Sequence, residues 1–249
     1  MSQYGSFARV YDMFMDNIPY EDWCHRIVEI LKEHGIDKGI VADLGCGTGR
    51  LTKALSDKGF DMIGIDMSPD MLDIAIDKRG DADILYLCQD MREFELYGTV
   101  AAIVSVCDSL NYITEEEDLL EVFKLVNNYL DPEGIFIFDM NTPYKYKKIL
   151  ANNTFAESRE DAAFIWENFY DTKTRINEYD LTLFIREDDI FERYEECHLQ
   201  RSYDLDRIKD LIAEAGLVLL DTYDGFTGEE PGRKSERVCF VCKESGKEG

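Results

Sequence analysis

The chain has 249 residues, 45% hydrophobic and 32% charged, enough apolar material for one sizeable core beneath a well-solvated surface. Asp and Glu number 52 against 27 Lys and Arg, a formal charge of -25 that repels phosphate backbones, so no nucleic-acid partner is expected. The first residues form no apolar signal segment, and no run approaches the roughly 18 apolar residues of a membrane span. The expectation is a cytoplasmic protein with no membrane partner, a monomer or a homodimer.

In chain order, Trp23, Ile27, Ile30, Leu31 and His34 recur at helical spacing, predicting a helix from about Tyr20 to His34 with Gly35 as its stop. Ile40-Val41-Ala42 reads as a short buried strand leading into a glycine-rich turn. Leu51, Ala54 and Leu55 mark a helix ending near Gly59, and Met62 to Ile65 a second strand. Ser68-Pro69 is a helix start, with Ser68 as N-cap and Pro69 at the first helical position. Ile84 to Cys88 and Ala101 to Val106 read as strands, and Glu115 to Leu130 as a helix with Leu119, Phe123, Val126 and Leu130 turned inward. Asp131 to Gly134 breaks the chain before a fifth strand, Ile135 to Phe138. Such alternation implies right-handed βαβ units and a mainly parallel sheet, a doubly wound α/β fold.

The texture changes after Asn141-Thr142-Pro143. From about Phe164 to Arg201, aromatic and β-branched residues alternate in part, which reads as a small inserted antiparallel β element after the fifth strand. Leu205, Ile208, Leu211, Ile212 and Ala215 restore a helix that Gly216 stops. Strands at Leu217 to Leu220 and Arg237 to Val241 follow, and the tail from Ser245 to Gly249 is expected to be disordered. Residues 1–142 and 202–249 would thus form the core, and 143–201 an inserted cover.

Seven cysteines, an odd number with several in apolar runs, read as free thiols in a reducing compartment. Cys239 and Cys242 have the spacing of a metal or redox pair, but on a strand their side chains point to opposite faces. No second pair complements them, so no metal site is expected.

The densest signal is Asp43-Leu44-Gly45-Cys46-Gly47-Thr48-Gly49, after the first strand and before a helix. Three alternate glycines strip the turn of side chains, so a ligand can approach the backbone at the carboxyl ends of parallel strands. Asp66 closes the second strand at about 20 residues past the glycines, the spacing of an acid that accepts both ribose hydroxyls. Asp90 closes the third strand beside Met91, where an acid can accept from an adenine amine and apolar neighbours can sandwich the ring. A nicotinamide cofactor is the rival ligand. Its fingerprint spaces the glycines G-x-G-x-x-G, and its pyrophosphate would be repelled by Asp43. A sulfonium with an ammonium group, as in S-adenosylmethionine, would be attracted.

Together Asp43 to Gly49, Gly64-Ile65-Asp66-Met67-Ser68 and Gln89-Asp90-Met91 resemble the first three motifs of class I S-adenosylmethionine-dependent methyltransferases. The likeness in element order covers roughly residues 36–142 and 203–243. It implies a Rossmann-like, seven-stranded sheet with the last strand antiparallel. It also implies cofactor contacts from Asp43, Gly45, Cys46, Gly47, Thr48, Gly49, Asp66, Met67, Asp90, Met91 and Cys107, with S-adenosylhomocysteine as product. The opening Tyr4 to Asp12 resembles a subgroup of small-molecule N-methyltransferases in which this segment caps the cofactor, making Tyr11 a contact candidate; otherwise Phe7 and Tyr11 merely staple the first helix. The Asn-Pro-Pro-Tyr type of motif found in methylases of nucleobases and protein amides is absent after the fourth strand. Val106 to Tyr112 stands there instead, offering Asp108, Ser109 and Asn111 as further polar contacts.

The expected reaction is transfer of a methyl group to a small-molecule acceptor, an amine among the candidates. The alternatives are a silent cofactor-binding regulator or a nicotinamide-dependent oxidoreductase. An amine must be neutral to attack, against a free pKa of about 10. His198 in the insertion and Tyr144 after the fifth strand are the groups proposed to assist, since His25 and His34 belong to the first helix.

Overall fold

The structure is a computed structural model that describes residues 7–247. Seven strands form one sheet in the order β10-β11-β5-β4-β1-β2-β3. These are β1 (Ile40–Leu44), β2 (Asp61–Asp66), β3 (Leu85–Cys88), β4 (Val100–Ser105), β5 (Leu130–Asn141), β10 (Val218–Asp224) and β11 (Arg237–Lys243). The first five run parallel, and β11 is antiparallel to both β5 and β10.

Strand alternation sorts the core into two layers. Phe136, Phe138 and Phe240 face α5 (Glu116–Tyr129) and α6 (Leu205–Glu214). Ile135, Ile137 and Val241 face α2 (Tyr20–Glu33) and α3 (Arg50–Ser56). Each fully buried apolar side chain contributes about 1.5–3 kcal/mol, so both sheet faces need covering. Cys239 lies in the second layer and Cys242 in the first, both fully buried, as a two-residue period requires of positions three apart. Ser68 caps α4 (Pro69–Lys78), its hydroxyl accepting from Met71 N at 3.3 Å.

Four antiparallel strands form a second sheet in chain order: β6 (Thr154–Ser158), β7 (Ala162–Tyr170), β8 (Ile176–Glu187) and β9 (Ile190–Arg201). It begins ten residues before the aromatic run that sequence alternation suggested. A six-residue π-helical turn, Lys145–Leu150, joins it to β5. The sequence reading missed α1 (Ala8–Phe14), whose Val10 and Phe14 pack onto Leu181, Leu183 and Ile185 of the second sheet. With no capping side chain and only seven residues, α1 carries no local signal and exists through that packing.

Two further expectations need correcting. Asp131 to Gly134 does not end the helix-to-strand passage outside the sheet. The pairing jumps from Val100–Leu130 to Ala102–Ile135, so these residues bulge within β5, with Glu133 at φ +65°. The tail is also anchored as far as it is described. Lys247 Nζ donates to the carbonyls of Asn127 at 2.7 Å and Asn128 at 2.8 Å, capping the end of α5. Residues 248–249 of that tail, and Tyr4 to Ser6 of the opening segment, lie outside the described residues.

Candidate functional site

The glycine turn leaves β1 and enters α3 under tight control. Gly45 N and Cys46 N both donate to Ile65 O, at 2.8 and 3.0 Å. Its three glycines all have positive φ, +72°, +53° and +74°, but they serve different ends. A Cβ on Gly45 would meet Ser109 at 2.8 Å, and one on Gly49 would meet the Tyr86 hydroxyl at 2.5 Å, so both are bare to admit protein. A Cβ on Gly47 would meet nothing within 4 Å: there the backbone faces open space.

That space is a cavity of about 820 Å³ at the carboxyl ends of β1, β2 and β4. It brings together Tyr11, Asp43, Gly45, Cys46, Gly47, Thr48, Asp66, Met67, Asp90, Met91 and Cys107. Gly49, Tyr144 and His198 do not line it. Gly49 acts from behind, through its packing on Tyr86. His198 is buried on β9 of the second sheet, stacked on its cross-strand partner Tyr179 at 5.1 Å and bonded through Nε2 to Glu196 at 3.2 Å.

The acids differ in state. Asp43 is buried, and this pushes its carboxyl up to about 7; the Thr52 hydroxyl, donating at 2.6 Å, pulls it down, and Asp66 pushes it further up. Asp66 accepts from Gly47 N at 2.8 Å and Ser68 N at 2.9 Å, which aligns both oxygens; burial raises its pKa against those two donors. Asp90 is clamped by Arg92, which donates from Nη2 at 2.5 Å and holds the carboxyl below its ordinary value. Each Asp66 oxygen accepts one hydrogen bond and keeps a lone pair for a ligand, whereas both Asp90 oxygens already accept two from Arg92.

Past β4, Cys107 and Asp108 both adopt left-handed conformations, φ +61° and +52°. Side chains resist this, at about 1–3 kcal/mol each, so surrounding contacts must hold the turn. They do so from distant elements. Gln200 Nε2 donates to Asp108 at 2.7 Å, and Arg237 Nη2 does so at 2.7 Å. Arg237 also pairs with the fully buried Asp139, which accepts the Asp108 N–H at 3.1 Å. Asn111, expected to face the ligand, instead ties Asn141 to β9: its Oδ1 accepts Asn141 N at 2.8 Å and its Nδ2 donates to Arg201 O at 2.8 Å. Sequence reasoning missed Lys145, Asp139, Gln200 and Arg237. A lone acid after the apolar run Ile135 to Phe138 was the available signal for Asp139; Gln200 and Arg237 lack one because their partner Asp108 lies far away in sequence, and Lys145 belongs to the site only through the cavity it lines.

The segment α1 closes the near side. Thr48 Oγ1 donates to Asp12 at 2.7 Å, Lys78 pairs with the same carboxylate, and Arg50 Nη1 donates to Met15 O at 3.0 Å. Tyr11 stacks edgewise on Phe7 at 5.2 Å and also lines the cavity. An open backbone at Gly47, flanked by aligned or buried carboxyls, suits a cationic nucleoside; among the described residues no guanidinium or ammonium pairs with Asp43 or Asp66 to neutralise them first.

A seven-stranded sheet in this order, with a glycine turn after β1 and acids closing β2 and β3, defines a class I methyltransferase core. The family model described as a methyltransferase domain matches residues 41–134. The Bacillus subtilis protein YqeM, a methyltransferase by name, is 36% identical over 244 residues, 97% of each chain. An S-adenosylmethionine-dependent methyltransferase of Clostridium acetobutylicum superposes with a TM-score of 0.89 at 30% identity, covering 98% of this chain and 99% of that one. An N,N-dimethyltransferase of a dTDP-linked amino sugar from Streptomyces venezuelae is 27% identical over 53% of this chain and 56% of its own. The chain belongs to the S-adenosylmethionine-dependent methyltransferases, and S-adenosylmethionine is its cofactor. The nicotinamide alternative is set aside. Among the described residues no helix is long and apolar enough to cross a membrane.

Proposed function

We propose that the enzyme methylates a small-molecule amine, with residues 143–201 covering the acceptor and Asp43, Gly47, Asp66 and Asp90 holding the cofactor. One observation carries this reading. A single cavity is lined at one end by Asp43, Gly47 and Asp66 and at the other by Phe155, Phe164, Trp166 and Tyr179 of the second sheet. A volume of about 820 Å³ suits a nucleoside cofactor with a modest acceptor. The acceptor named in the Streptomyces relative, a dTDP-linked amino sugar, is likewise an amine.

The cofactor supplies a methyl group on a cationic sulfur that is already a good leaving group. The chain must hold the acceptor nitrogen about 3 Å from the methyl carbon, in line with the breaking bond, and exclude water. The second sheet and α1 provide the walls. The bonded set of Asp108, Gln200 and Arg237 fixes the turn that lines this cavity. Incubation with methyl-labelled S-adenosylmethionine and a panel of amines, alcohols and carboxylic acids tests the assignment. Label should appear on an amine; label on acids or alcohols alone would replace the amine reading while leaving the cofactor site intact.

A further inference from the structure

An amine-bearing side chain stands on the cavity wall after β5, one residue beyond the tyrosine that the sequence suggested. Lys145 opens the π-helical turn after β5, its backbone N–H held by Thr142 Oγ1 at 3.2 Å. Its side chain lines the cavity, and its Nζ donates to the neutral Asn141 Oδ1 at 3.1 Å. Turns of this wide type recur at functional sites.

The other ionisable groups on the cavity wall are committed elsewhere. Asp43 and Asp66 lie at the glycine-turn end. Asp90, Asp108 and Glu157 are each paired with a guanidinium, from Arg92, Arg237 and Arg159. The phenols of Tyr11, Tyr20 and Tyr179 and the thiols of Cys46 and Cys107 are all made harder to ionise by burial, Tyr112 bonds to Tyr179, and Asp118 pairs with Arg92. Lys145 forms no ion pair among the described residues and can accept a proton whenever its amine is neutral. Burial favours that neutral form, and so does the Arg237 guanidinium from β11. Asp108 beyond β4, Glu236 before β11 and Asp139 on β5 oppose it, and the balance lowers the Lys145 pKa.

We propose that Lys145 Nζ accepts the proton that the acceptor's ammonium group must shed before it can attack, an inference that rests on the amine reading above. The proton moves from the acceptor ammonium to Nζ. The freed nitrogen lone pair then forms the bond to the methyl carbon, while the carbon–sulfur bond breaks and its electron pair stays on sulfur. S-adenosylhomocysteine and an N-methylammonium product result, and Nζ returns its proton to solvent as the site opens.

Competitive labelling with acetic anhydride across a pH series, on protein saturated with S-adenosylhomocysteine, reads the Lys145 amine directly. The exposed Lys147 and Lys148 on the same turn are internal references. Lys145 should react with a midpoint at lower pH than both. An equal or higher midpoint, or no reaction at any pH, overturns the proposal. Kinetics on the amine found with labelled cofactor provide the second readout. Lys145→Arg keeps the positive charge but cannot give up its proton, and should lower kcat about 100-fold with S-adenosylmethionine affinity unchanged. Lys145→Met should match it and move the rise of kcat with pH expected of the parent to higher pH, toward the acceptor amine's own pKa. A Lys145→Arg enzyme within about twofold of the parent overturns the proposal. Failure of every amine to take label overturns both this step and the amine reading, whereas an ordinary Lys145 in an enzyme that methylates amines overturns the step alone.

Discussion

Asp43 and Asp66 set the charge of the cofactor end, and their states make two predictions at the scale of single residues. Asp43 titrates near 7 in the folded chain against 3.8 ordinarily. Between those values the folded state holds a proton that the unfolded state has released. Stability of the ligand-free protein therefore falls as pH rises from about 4 to 7 through this group, and levels off above. A cationic ligand favours the carboxylate, so S-adenosylmethionine affinity should rise from pH 6 to pH 8, with proton release on binding. Calorimetry in buffers of differing ionisation heat checks this; affinity flat over that range would remove Asp43 from the ligand's reach. Asp66→Ala deletes the proposed ribose acceptor, and should weaken S-adenosylmethionine binding by about 100-fold or more while far-ultraviolet circular dichroism is unchanged. These acids were legible in the sequence because each closes its own strand a short way from the glycine turn. Arg237 was not, since what makes it part of the site is Asp108, 129 positions away, which only the folded chain supplies; Lys145 bonds locally, and only the folded cavity sets it apart from Lys147 and Lys148. His198 shows the converse: its residue type suggested a base, while the register sets it opposite Tyr179 on the neighbouring strand, its ring stacked on that phenol and its Nε2 bonded to Glu196, and it does not line the cavity.

Among the elements, α1 matters most to the site because it bonds to both halves of the cavity. Phe14 packs edge-on against Phe164 of β7 at 4.8 Å, and Asp12 receives Thr48 of the glycine turn. Phe14→Ala should cost about 3 kcal/mol of stability by the usual penalty for a buried aromatic. Because the clasp then loosens, it should also raise the Kd for S-adenosylmethionine, which Thr48→Val should do with a smaller loss of stability. Denaturant titrations beside binding isotherms separate the two effects. Helices α2, α5 and α6 were readable because each carries a full apolar stripe over 10 to 14 residues. The element α1, with three buried residues, and the bulged start of β5 are imposed by tertiary pairing that no local pattern records.

For the molecule as a whole, the mainly parallel sheet followed from alternation, and seven strands with the last antiparallel from family likeness; the order of the strands and the extent of the second sheet needed coordinates. Ligand binding at the junction of both sheets should stabilise the entire chain. S-adenosylhomocysteine at 100 times its Kd adds about 2.7 kcal/mol, which for a chain of this size raises Tm by about 5–10 °C. NAD at the same concentration should leave Tm unmoved, and a thermal-shift series gives the answer directly.

The placement of Cys239 and Cys242 on opposite sides of one central strand has a practical consequence. Neither thiol can reach the other without dismantling β11, so oxidants cannot lock them together in the native chain. Each is instead a separate clock: the rate at which a thiol reagent finds Cys239 times the opening of the α2–α3 side, and the rate at Cys242 times the α5–α6 side. One strand thus reports which coat of helices lifts first when the protein is heated.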